Sequence, residues 1–359
     1  MKVYFITDYF WPSIGGLENS TAYLAGALRK RLPVEILTTT PGQNFKKRPP
    51  APLKRFTGPP GGAYEQMTRH IQQGEKPFSV CCMGFSDRMT DAHLEFMANI
   101  RQQHARKLLF KVPSLHEFSC YAQGGNRLQN LGLVDFFICP NQAIRDELVG
   151  WGIPLRKLIV QPNGIPSNYF SPCPPEQKKV LLQKMGLPDQ LSFIFTGRFA
   201  ARKRVDMLVD AFSAAGQVNL LLVGYFDNRF DTGSSFQIPD GAHIKVFGPT
   251  FDILPYLGAA DVFVSASEAE GMSNALLEAL ACGLPGLVTD IPGHRELIAP
   301  GYNGQVFAPG DTNGLIKGIQ WFVQRQQDLQ TFSRNARETI VSRFPIENVA
   351  DTYFNLLTE

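Results

Sequence analysis

Short runs of β-branched and aromatic residues alternate with helical patterns along the whole chain, and this alternation restricts the fold more than any other feature. Strand-like runs occur at 3–7, 34–38, 78–83, 108–112, 136–139 and 158–161, and again at 192–196, 220–224, 244–247, 262–265, 286–289 and 304–307. Strands that alternate with helices form mostly parallel sheets covered on both faces. We therefore expect an α/β protein with two Rossmann-like, doubly wound domains.

A segment dense in proline and turn residues, from Pro162 to Pro175, separates the two sets of strands. A chain of 359 residues exceeds one typical core, so two domains are expected. We predict an N-terminal domain at 1–165, a C-terminal domain at 166–340 and a final segment at 341–359. Because ligands bind beyond the carboxyl ends of strands in such sheets, we expect the two domains to face a central cleft.

The overall composition is that of an ordinary globular protein, with 44% hydrophobic and 19% charged residues. A net charge of +3 is too small to indicate a nucleic-acid partner. No uninterrupted apolar run is long enough to cross a bilayer, and the first strand begins at Val3, which leaves no room for a signal peptide. The six cysteines lack metal-ligand spacing, and several lie in apolar segments as reduced thiols do. We expect a cytoplasmic protein.

Two glutamates, Glu270 and Glu278, lie eight residues apart across the start of a predicted helix. Ser273 is a favourable N-cap for a helix from about 274 to 282, and Gly283 should end it. Glu270 then lies in the preceding loop and Glu278 within the helix. The free N–H groups at a helix start bind anions, and the two carboxylates can bind hydroxyls. This arrangement predicts a site for a phosphorylated polyol such as a nucleotide sugar.

A second charged segment follows the strand-like run at 192–196. Gly197 and Arg198 come directly after that run, and Lys203 precedes a helical pattern that Gly216 ends. Both cations are therefore expected at the carboxyl edge of the second sheet. A guanidinium and an ammonium together suit a diphosphate. A solvated loop is the alternative when this pair is considered alone.

Two features of the first half also point to its carboxyl edge. Gly15 and Gly16 join the first strand to the first helix, where backbone N–H groups could approach a phosphate closely. A simple tight turn is the alternative. His116 lies just past the strand-like run at 108–112. A structural role is the alternative for this histidine, although a strand-end position favours function.

The segment 43–63 is rich in proline, glycine and basic residues, and we predict a mobile loop there. From Arg29 to Arg55 there are eight basic residues against one acid, Glu35. A solvated charged loop is the favoured interpretation. The alternative is a patch that contacts anionic groups of an acceptor or of a membrane surface, which would place the protein at the inner face of the cytoplasmic membrane.

Several motifs are absent from the sequence. There is no G-x-G-x-x-G, which argues against a dinucleotide cofactor, and no G-K-[ST] phosphate loop, which argues against nucleotide hydrolysis. The D-x-D pair that binds a metal-chelated nucleotide sugar and the G-x-S-x-G nucleophile elbow are missing too. We therefore expect Arg198, Lys203 and helix dipoles, rather than a metal ion, to neutralise a departing diphosphate.

The order and spacing of these motifs resemble the retaining, GT-B-fold glycosyltransferases of family 4 (glycosyl transferases group 1). The similar segments are 12–18 (P-x-x-G-G-x-E), 162–170 (P-N-G-I followed by Phe170), 197–206 (G-R, then K and D) and 270–278 (E-x7-E). Some positions depart from the family pattern: Pro166 replaces Asp, Arg204 replaces Gly, Asn141 replaces Ser, and Leu-Pro-Val-Glu at 32–35 replaces Gly-His-Glu-Val.

The resemblance implies a role for each candidate residue. Glu270 would contact hydroxyls of the donor sugar, Glu278 the ribose, and Arg198 and Lys203 the diphosphate. The remaining implied contacts are His116 to the donor sugar, the backbone of Gly16, Met272, Ser273 and Asn274 to the diphosphate, and the backbone around Phe247 to the base. Gly15 and Gly197 are further donor-binding candidates, and Glu18 is expected on the acceptor side. The final segment resembles the family's C-terminal helix, which crosses back to the first domain.

The predicted activity is transfer of a sugar from a UDP-, GDP- or ADP-sugar to an acceptor hydroxyl, with retention of anomeric configuration and without a metal ion or cofactor. The acceptor could be a glycan, a lipid-linked sugar or a small molecule. Two alternatives remain open: a sugar-nucleotide epimerase or hydrolase on the same fold, and a non-catalytic sugar-nucleotide-binding subunit. The sequence leaves the donor sugar, the base, the linkage and the oligomeric state undetermined.

Overall fold

The computed structural model describes residues 1–11, 15–41, 49–58, 60–84, 91–114, 131–216, 218–226 and 236–359. The chain divides into two compact units. The first comprises Met1–Gly164 together with Ile346–Glu359, and the second comprises Ile165–Pro345. The candidate residue His116 and residues 12–14 of the first glycine motif lie outside the described residues.

The described part of the first unit contains a seven-stranded parallel sheet with the order β3-β2-β1-β4-β5-β6-β7. Its strands are β1 (Lys2–Thr7), β2 (Val34–Thr38), β3 (Leu53–Arg55), β4 (Phe78–Cys82), β5 (Leu108–Lys111), β6 (Phe136–Cys139) and β7 (Leu158–Val160). The central strands are buried on both faces, which explains their continuous apolar sequences.

The described part of the second unit contains a six-stranded parallel sheet with the order β10-β9-β8-β11-β12-β13. Its strands are β8 (Ser192–Arg198), β9 (Asn219–Tyr225), β10 (Ile244–Phe247), β11 (Val262–Ser265), β12 (Gly286–Thr289) and β13 (Gly304–Phe307). In both sheets the strand order reverses beside the first strand of the unit, which is the doubly wound topology. The predicted α/β class and the two Rossmann-like sheets are confirmed.

In the described part of both units, helices occur between many of the strands and after the last one. They are α1 (Gly16–Leu28), α2 (Pro60–Gln72), α3 (Asp91–Gln102), α4 (Gln142–Gly150), α5 (Pro175–Lys184), α6 (Val205–Ala215), α7 (Leu254–Gly258), α8 (Asn274–Ala281), α9 (Pro292–Arg295), α10 (Thr312–Gln324), α11 (Leu329–Arg343) and α12 (Ile346–Thr358). The last helix, α12, packs against α1 within the first unit, and α11 packs against α8 within the second.

The prediction of a mobile loop at 43–63 is wrong for its described second half. Leu53–Arg55 forms the edge strand β3, in which Leu53 pairs with Ile36 of β2, and α2 begins at Pro60. A three-residue strand among prolines gives no clear periodic signal. Proline and lysine are nevertheless tolerated at a sheet edge, and proline suits the first position of a helix.

Two further expectations can be compared with the structure. None of the helices in the described part of the chain has both the length and the apolarity that a membrane span requires. The described cysteines carry free thiols, and all of them except Cys173 are buried, as predicted for reduced cysteines.

Candidate active site

Helix α8 begins as the sequence predicts. The Oγ atom of Ser273 accepts a hydrogen bond from the backbone N–H of Leu276 at 3.3 Å, so this residue is the N-cap. The helix ends at Ala281, and Gly283 adopts a φ of +80° that favours glycine. Glu270 lies in the loop before the helix. Glu278 lies within it and is only 6% exposed.

The side chains of Lys203 and Glu270 form an ion pair, in which the ammonium donates to the Oε1 atom of the carboxylate. Both side chains are largely enclosed, with 17% and 11% of their surface exposed. A second cation, Arg202, places its Nη1 atom 3.8 Å from the Oε2 atom of Glu270. Burial by itself would raise the pKa of Glu270, but Lys203 and Arg202 outweigh it and lower that pKa to about 2. Glu270 is therefore ionised at neutral pH.

Cations outnumber this carboxylate. Burial lowers the pKa of Lys203, and the neighbouring charges of Arg202 and Arg198 lower it further, while Glu270 raises it. Three basic side chains thus act around one buried glutamate. A surplus of positive charge beside a helix N-terminus is an environment that stabilises an anion.

Backbone and side-chain hydrogen bonds join the turn at 202–204 to the loop at 268–270. The backbone N–H of Glu268 donates to the carbonyl of Arg202 at 2.8 Å, and the Arg202 guanidinium donates to the carbonyl of Ala269 at 3.0 Å. Arg204 adds an ion pair to Glu268 at 3.0 Å. These contacts fix the position of Lys203 relative to Glu270, because they join the turn that contains Lys203 to the loop that contains Glu270.

Arg204 has a left-handed backbone conformation, with φ +49° and ψ +46°. This residue replaces the glycine of the family pattern, and glycine adopts such angles without strain. For a residue with a Cβ the conformation costs roughly 1–2 kcal/mol. The Arg204 guanidinium forms ion pairs with Asp206 at 3.2 Å and with Glu268 at 3.0 Å. Arg204 therefore adopts a conformation that suits glycine, and its side chain adds ionic contacts to the turn.

Gly197 and Arg198 are the last two residues of β8, which runs two residues further than predicted. Arg198 pairs with Tyr225 of β9 and is half-buried. Gly197 has a φ of +147°, and a Cβ on the neighbouring Gly224 would lie 1.8 Å from its carbonyl oxygen. The tight packing of these two glycines brings the backbones of β8 and β9 together directly beside Arg198.

Two residues that the sequence analysis did not single out form the wall beside Glu270. A Cβ on Gly293 would lie 2.4 Å from the backbone oxygen of Glu270, so only glycine allows this approach. The next residue, His294, is completely buried. Both belong to α9, which follows β12. The rule that ligands bind beyond the carboxyl ends of strands is the signal that could have identified them.

The other donor-side candidates occupy nearby positions in the second unit. Met272 and the N-cap Ser273 are buried, and Asn274 is half-buried at the first position of α8. Phe247 ends β10, and its ring packs edge-on against Tyr256 at a centroid distance of 5.0 Å. The structure thus places Phe247, Arg198 and the Glu270 loop at carboxyl ends of strands in one sheet.

In the first unit, α1 begins at Gly16 with Gly15 as its N-cap in extended conformation. A Cβ on Gly15 would lie 2.5 Å from a carboxylate oxygen of Glu18, whose side chain is therefore turned back towards the helix start. Glu18 is only 8% exposed. An acidic side chain in the first turn is favoured by the helix dipole. The predicted phosphate contact of these glycines and the acceptor role of Glu18 stay predictions.

The sequence of this chain is similar to the sequences of glycosyltransferases. Residues 177–339 match the family described as glycosyl transferases group 1. The chain is 24% identical to the lipopolysaccharide core biosynthesis glycosyltransferase LpsE of Rhizobium meliloti over 98% of both chains. It is 30% identical to a GDP-mannose-dependent alpha-mannosyltransferase of Mycobacterium tuberculosis, over 59% of this chain and 53% of that one.

Solved structures share the complete fold. HepE of Anabaena in complex with UDP-glucose is similar with a TM-score of 0.82 and 19% identity over 99% of both chains. Sucrose-phosphate synthase from Thermosynechococcus elongatus is similar with a TM-score of 0.80 and 20% identity, over 99% of this chain and 98% of that one. The fold is therefore GT-B, and the sequence similarities support membership of the glycosyltransferase superfamily.

Proposed function

We propose that this GT-B-fold glycosyltransferase transfers a sugar from a nucleoside-diphosphate sugar to an acceptor hydroxyl, with retention of anomeric configuration and without a metal ion. The observation that carries the proposal is the enclosed Lys203–Glu270 pair, which lies among further cations and just before the N-terminus of α8. Such a site offers positive charge to a diphosphate and a fixed carboxylate to sugar hydroxyls.

The departing diphosphate is the group that needs most stabilisation. As the bond between the anomeric carbon and the phosphate oxygen breaks, negative charge develops on the diphosphate. Arg198, Lys203 and the N–H groups at the start of α8 can bind that charge without reorganisation, as preorganised donors do in an oxyanion hole. In this proposal the cations perform the role that a metal ion has in other transferases. Activity should accordingly survive treatment with EDTA.

Glu270 binds substrate rather than acting as a general acid or base. A catalytic base works best with a pKa near the operating pH, whereas the pKa of Glu270 is about 2. It therefore remains an acceptor for hydroxyl groups. We assign Glu278 to the ribose, because it is a second enclosed carboxylate further along α8.

Retention follows from a front-face route. The acceptor oxygen forms its bond to the anomeric carbon on the face that the diphosphate leaves, and the acceptor proton passes to an oxygen of the departing diphosphate. Neither Glu270 nor Glu278 is suited to act as a covalent nucleophile in this scheme, because both are assigned to hydroxyls of the donor. The names of two relatives, an alpha-mannosyltransferase and an alpha-1,3-galactosyltransferase, support an α-linked product.

UDP-sugars are the first donors to test. HepE has been solved with UDP-glucose, and one relative is named as a UDP-Gal-dependent transferase, whereas another is named as GDP-mannose-dependent. For the acceptor we propose a hydroxyl on a growing glycan or on a lipid-linked sugar. The names of LpsE and of a transferase that acts on GlcNAc-diphosphoundecaprenol support this class.

The decisive experiment follows nucleoside-diphosphate release from UDP-, GDP- and ADP-sugars, with and without glycan and lipid-linked acceptors. A transferase releases the diphosphate only with a suitable acceptor, and the anomeric proton of the product reports retention. Release at the same rate without acceptor would indicate a hydrolase. A changed sugar without release would indicate an epimerase, and binding without turnover would indicate a non-catalytic subunit.

The variant Arg198→Ala tests the assignment of the leaving-group site. Turnover should fall by about 100-fold or more, as for loss of an oxyanion-hole donor. The matched control is Arg295→Ala, which removes an exposed arginine that pairs with Asp290 at 2.5 Å. Near-normal turnover in Arg198→Ala would refute the assignment.

A further inference from the structure

The imidazole of His294 is held in one tautomer by Thr289. Its Nδ1 atom lies 2.9 Å from the carbonyl oxygen of Thr289 and 3.2 Å from the hydroxyl oxygen of the same residue. That hydroxyl donates its single proton to the carbonyl of Ser267 at 2.5 Å, so it can only accept from the histidine. Both Thr289 oxygens are therefore acceptors, and Nδ1 must carry the proton. The Nε2 atom is left with a lone pair.

The Nε2 atom is buried and has no hydrogen-bond partner among the residues that the structure describes. Most buried polar groups in proteins are paired, and an exception calls for a functional explanation. The side chain belongs to α9, whose Gly293 backbone packs directly against Glu270. This unpaired acceptor thus belongs to the residue that follows Gly293, and the charge of Glu270 acts on its imidazole.

The charges that act on His294 belong to Glu270, in the loop before α8, and to Lys203, in the turn after β8. Glu270 raises the pKa of His294 and Lys203 lowers it, but burial dominates and lowers the pKa below the ordinary value of 6.5. On its own element, Arg295 forms an exposed pair with Asp290. At neutral pH the imidazole is therefore uncharged.

We propose that His294 is a positioning residue for Glu270, because its neutral imidazole presents an acceptor, and never a donor, to the pocket of that carboxylate. Glu270 then stays paired with Lys203 and open to hydroxyls of the donor sugar. A protonated imidazole would carry an N–H and a positive charge at Nε2, and both would compete with the sugar for Glu270. This inference rests on the proposed function of Glu270.

The proposal predicts that acid weakens binding of the sugar but not of the nucleotide. Calorimetry compares UDP-glucose with UDP, since UDP lacks the sugar. As the pH is lowered below 6.5, the affinity of the wild-type protein for UDP-glucose should fall by about threefold or more relative to its affinity for UDP. The loss should appear below pH 6.5, because the pKa of His294 is lowered from that value.

Two substitutions separate positioning from packing. In His294→Asn, the amide can still donate to Thr289, but nothing replaces Nε2 and the side chain does not titrate. The acid-induced fall of the affinity ratio should therefore be smaller than in the wild-type protein, and the pH change that remains comes from the terminal phosphate of UDP, which titrates at about pH 6. In His294→Gln, the amide reaches the position of Nε2 and can present its oxygen there, so sugar binding at neutral pH should be largely restored. An unchanged pH dependence in His294→Asn, or a parallel loss of UDP affinity, would overturn the proposal.

A second measurement does not depend on the donor. Nitrogen-15 NMR can follow the six histidines, and His294→Asn identifies the signals of His294. The His294 ring should carry its proton on Nδ1 and should titrate below pH 6.5. In Glu270→Gln it should titrate at a still lower pH, because Glu270 raises its pKa. An Nε2–H tautomer, or a His294 titration that is the same in Glu270→Gln as in the wild-type protein, would contradict the inference. If neither UDP nor UDP-glucose binds, the donor assignment fails while the NMR result still decides whether His294 and Glu270 are coupled.

Discussion

The two sheets have the same strand order over six strands, but the ends of their first strands carry different chemistry. After β8 in the second unit, cations lie around an enclosed carboxylate: Lys203 and Arg202 act on Glu270, and Arg198 acts on Lys203. After β1 in the first unit, Asp8 is buried among hydrogen-bond donors. Tyr64 donates to one carboxylate oxygen of Asp8, and His93 lies 3.2 Å from the other.

This difference separates the candidate ligand site in the second unit from a hydrogen-bond network in the first. The backbone carbonyl of Asp8 also accepts hydrogen bonds from the hydroxyls of Thr38, Thr39 and Thr40. Burial and the negative charge of Asp8 raise the pKa of Tyr64 far above its ordinary value, so the phenol remains a donor. A network of hydrogen-bonded donors and acceptors stabilises a loop, whereas a surplus of positive charge attracts an anion. Equal topology does not imply equal function.

The largest expected effect is on turnover in the second unit. Replacement of Lys203 by methionine removes the ion-pair partner of Glu270 and one of the proposed contacts to the diphosphate, so turnover should fall about 100- to 1,000-fold. The matched control is Lys178→Met, which breaks a similarly enclosed pair between Lys178 and Asp261 at 2.5 Å in the same unit. Equal losses in both variants would show that the effect is on folding rather than on catalysis.

A stability effect of comparable size is expected in the first unit. Asp8→Ala leaves the Tyr64 hydroxyl and His93 without this acceptor, and should lower the free energy of unfolding by about 2–4 kcal/mol. Denaturant titration monitored by circular dichroism measures this loss. Affinity for UDP should persist at low denaturant, because all of the proposed nucleotide contacts except the backbone of Gly15 and Gly16 lie in the second unit. Loss of UDP binding without loss of stability would contradict the structural role that we assign to Asp8.

Acid should weaken the Lys203–Glu270 pair of the second unit. The pKa of Glu270 is lowered from 4.5 to about 2, so its contribution to stability is complete above 4.5 and is lost as pH falls towards 2. Between these values the wild type should lose roughly 2–3 kcal/mol more unfolding free energy than Glu270→Gln does. Parallel pH curves for the two proteins would show that the Lys203–Glu270 pair does not stabilise the fold.

The smallest effect concerns the strained turn at Arg204. Arg204→Ala keeps the left-handed backbone and loses the ion pairs, whereas Arg204→Gly loses the ion pairs but relieves the strain. The glycine variant should therefore be more stable than the alanine variant by about 1 kcal/mol, which thermal and denaturant unfolding can measure. Equal stabilities would show that the turn relaxes when the arginine is removed.

Local signals in the sequence predicted most strands and the helix at the site. Ser273 and Gly283 determine the start and end of α8 through their own capping interactions, so a short window of sequence was sufficient. The edge strand Leu53–Arg55 was missed, because three residues have no measurable periodicity and form a strand only through pairing with β2.

The sequence by itself determined the alternation of strands and helices, the position of α8 and the chemical types available at the site. Only the tertiary structure decided which charges meet. Lys203 and Glu270 are 67 positions apart, and the close approach of Gly293 and the burial of His294 depend on α9 folding back against the Glu270 loop. Capping and periodicity arise from neighbouring residues, whereas these contacts form only when distant segments pack together.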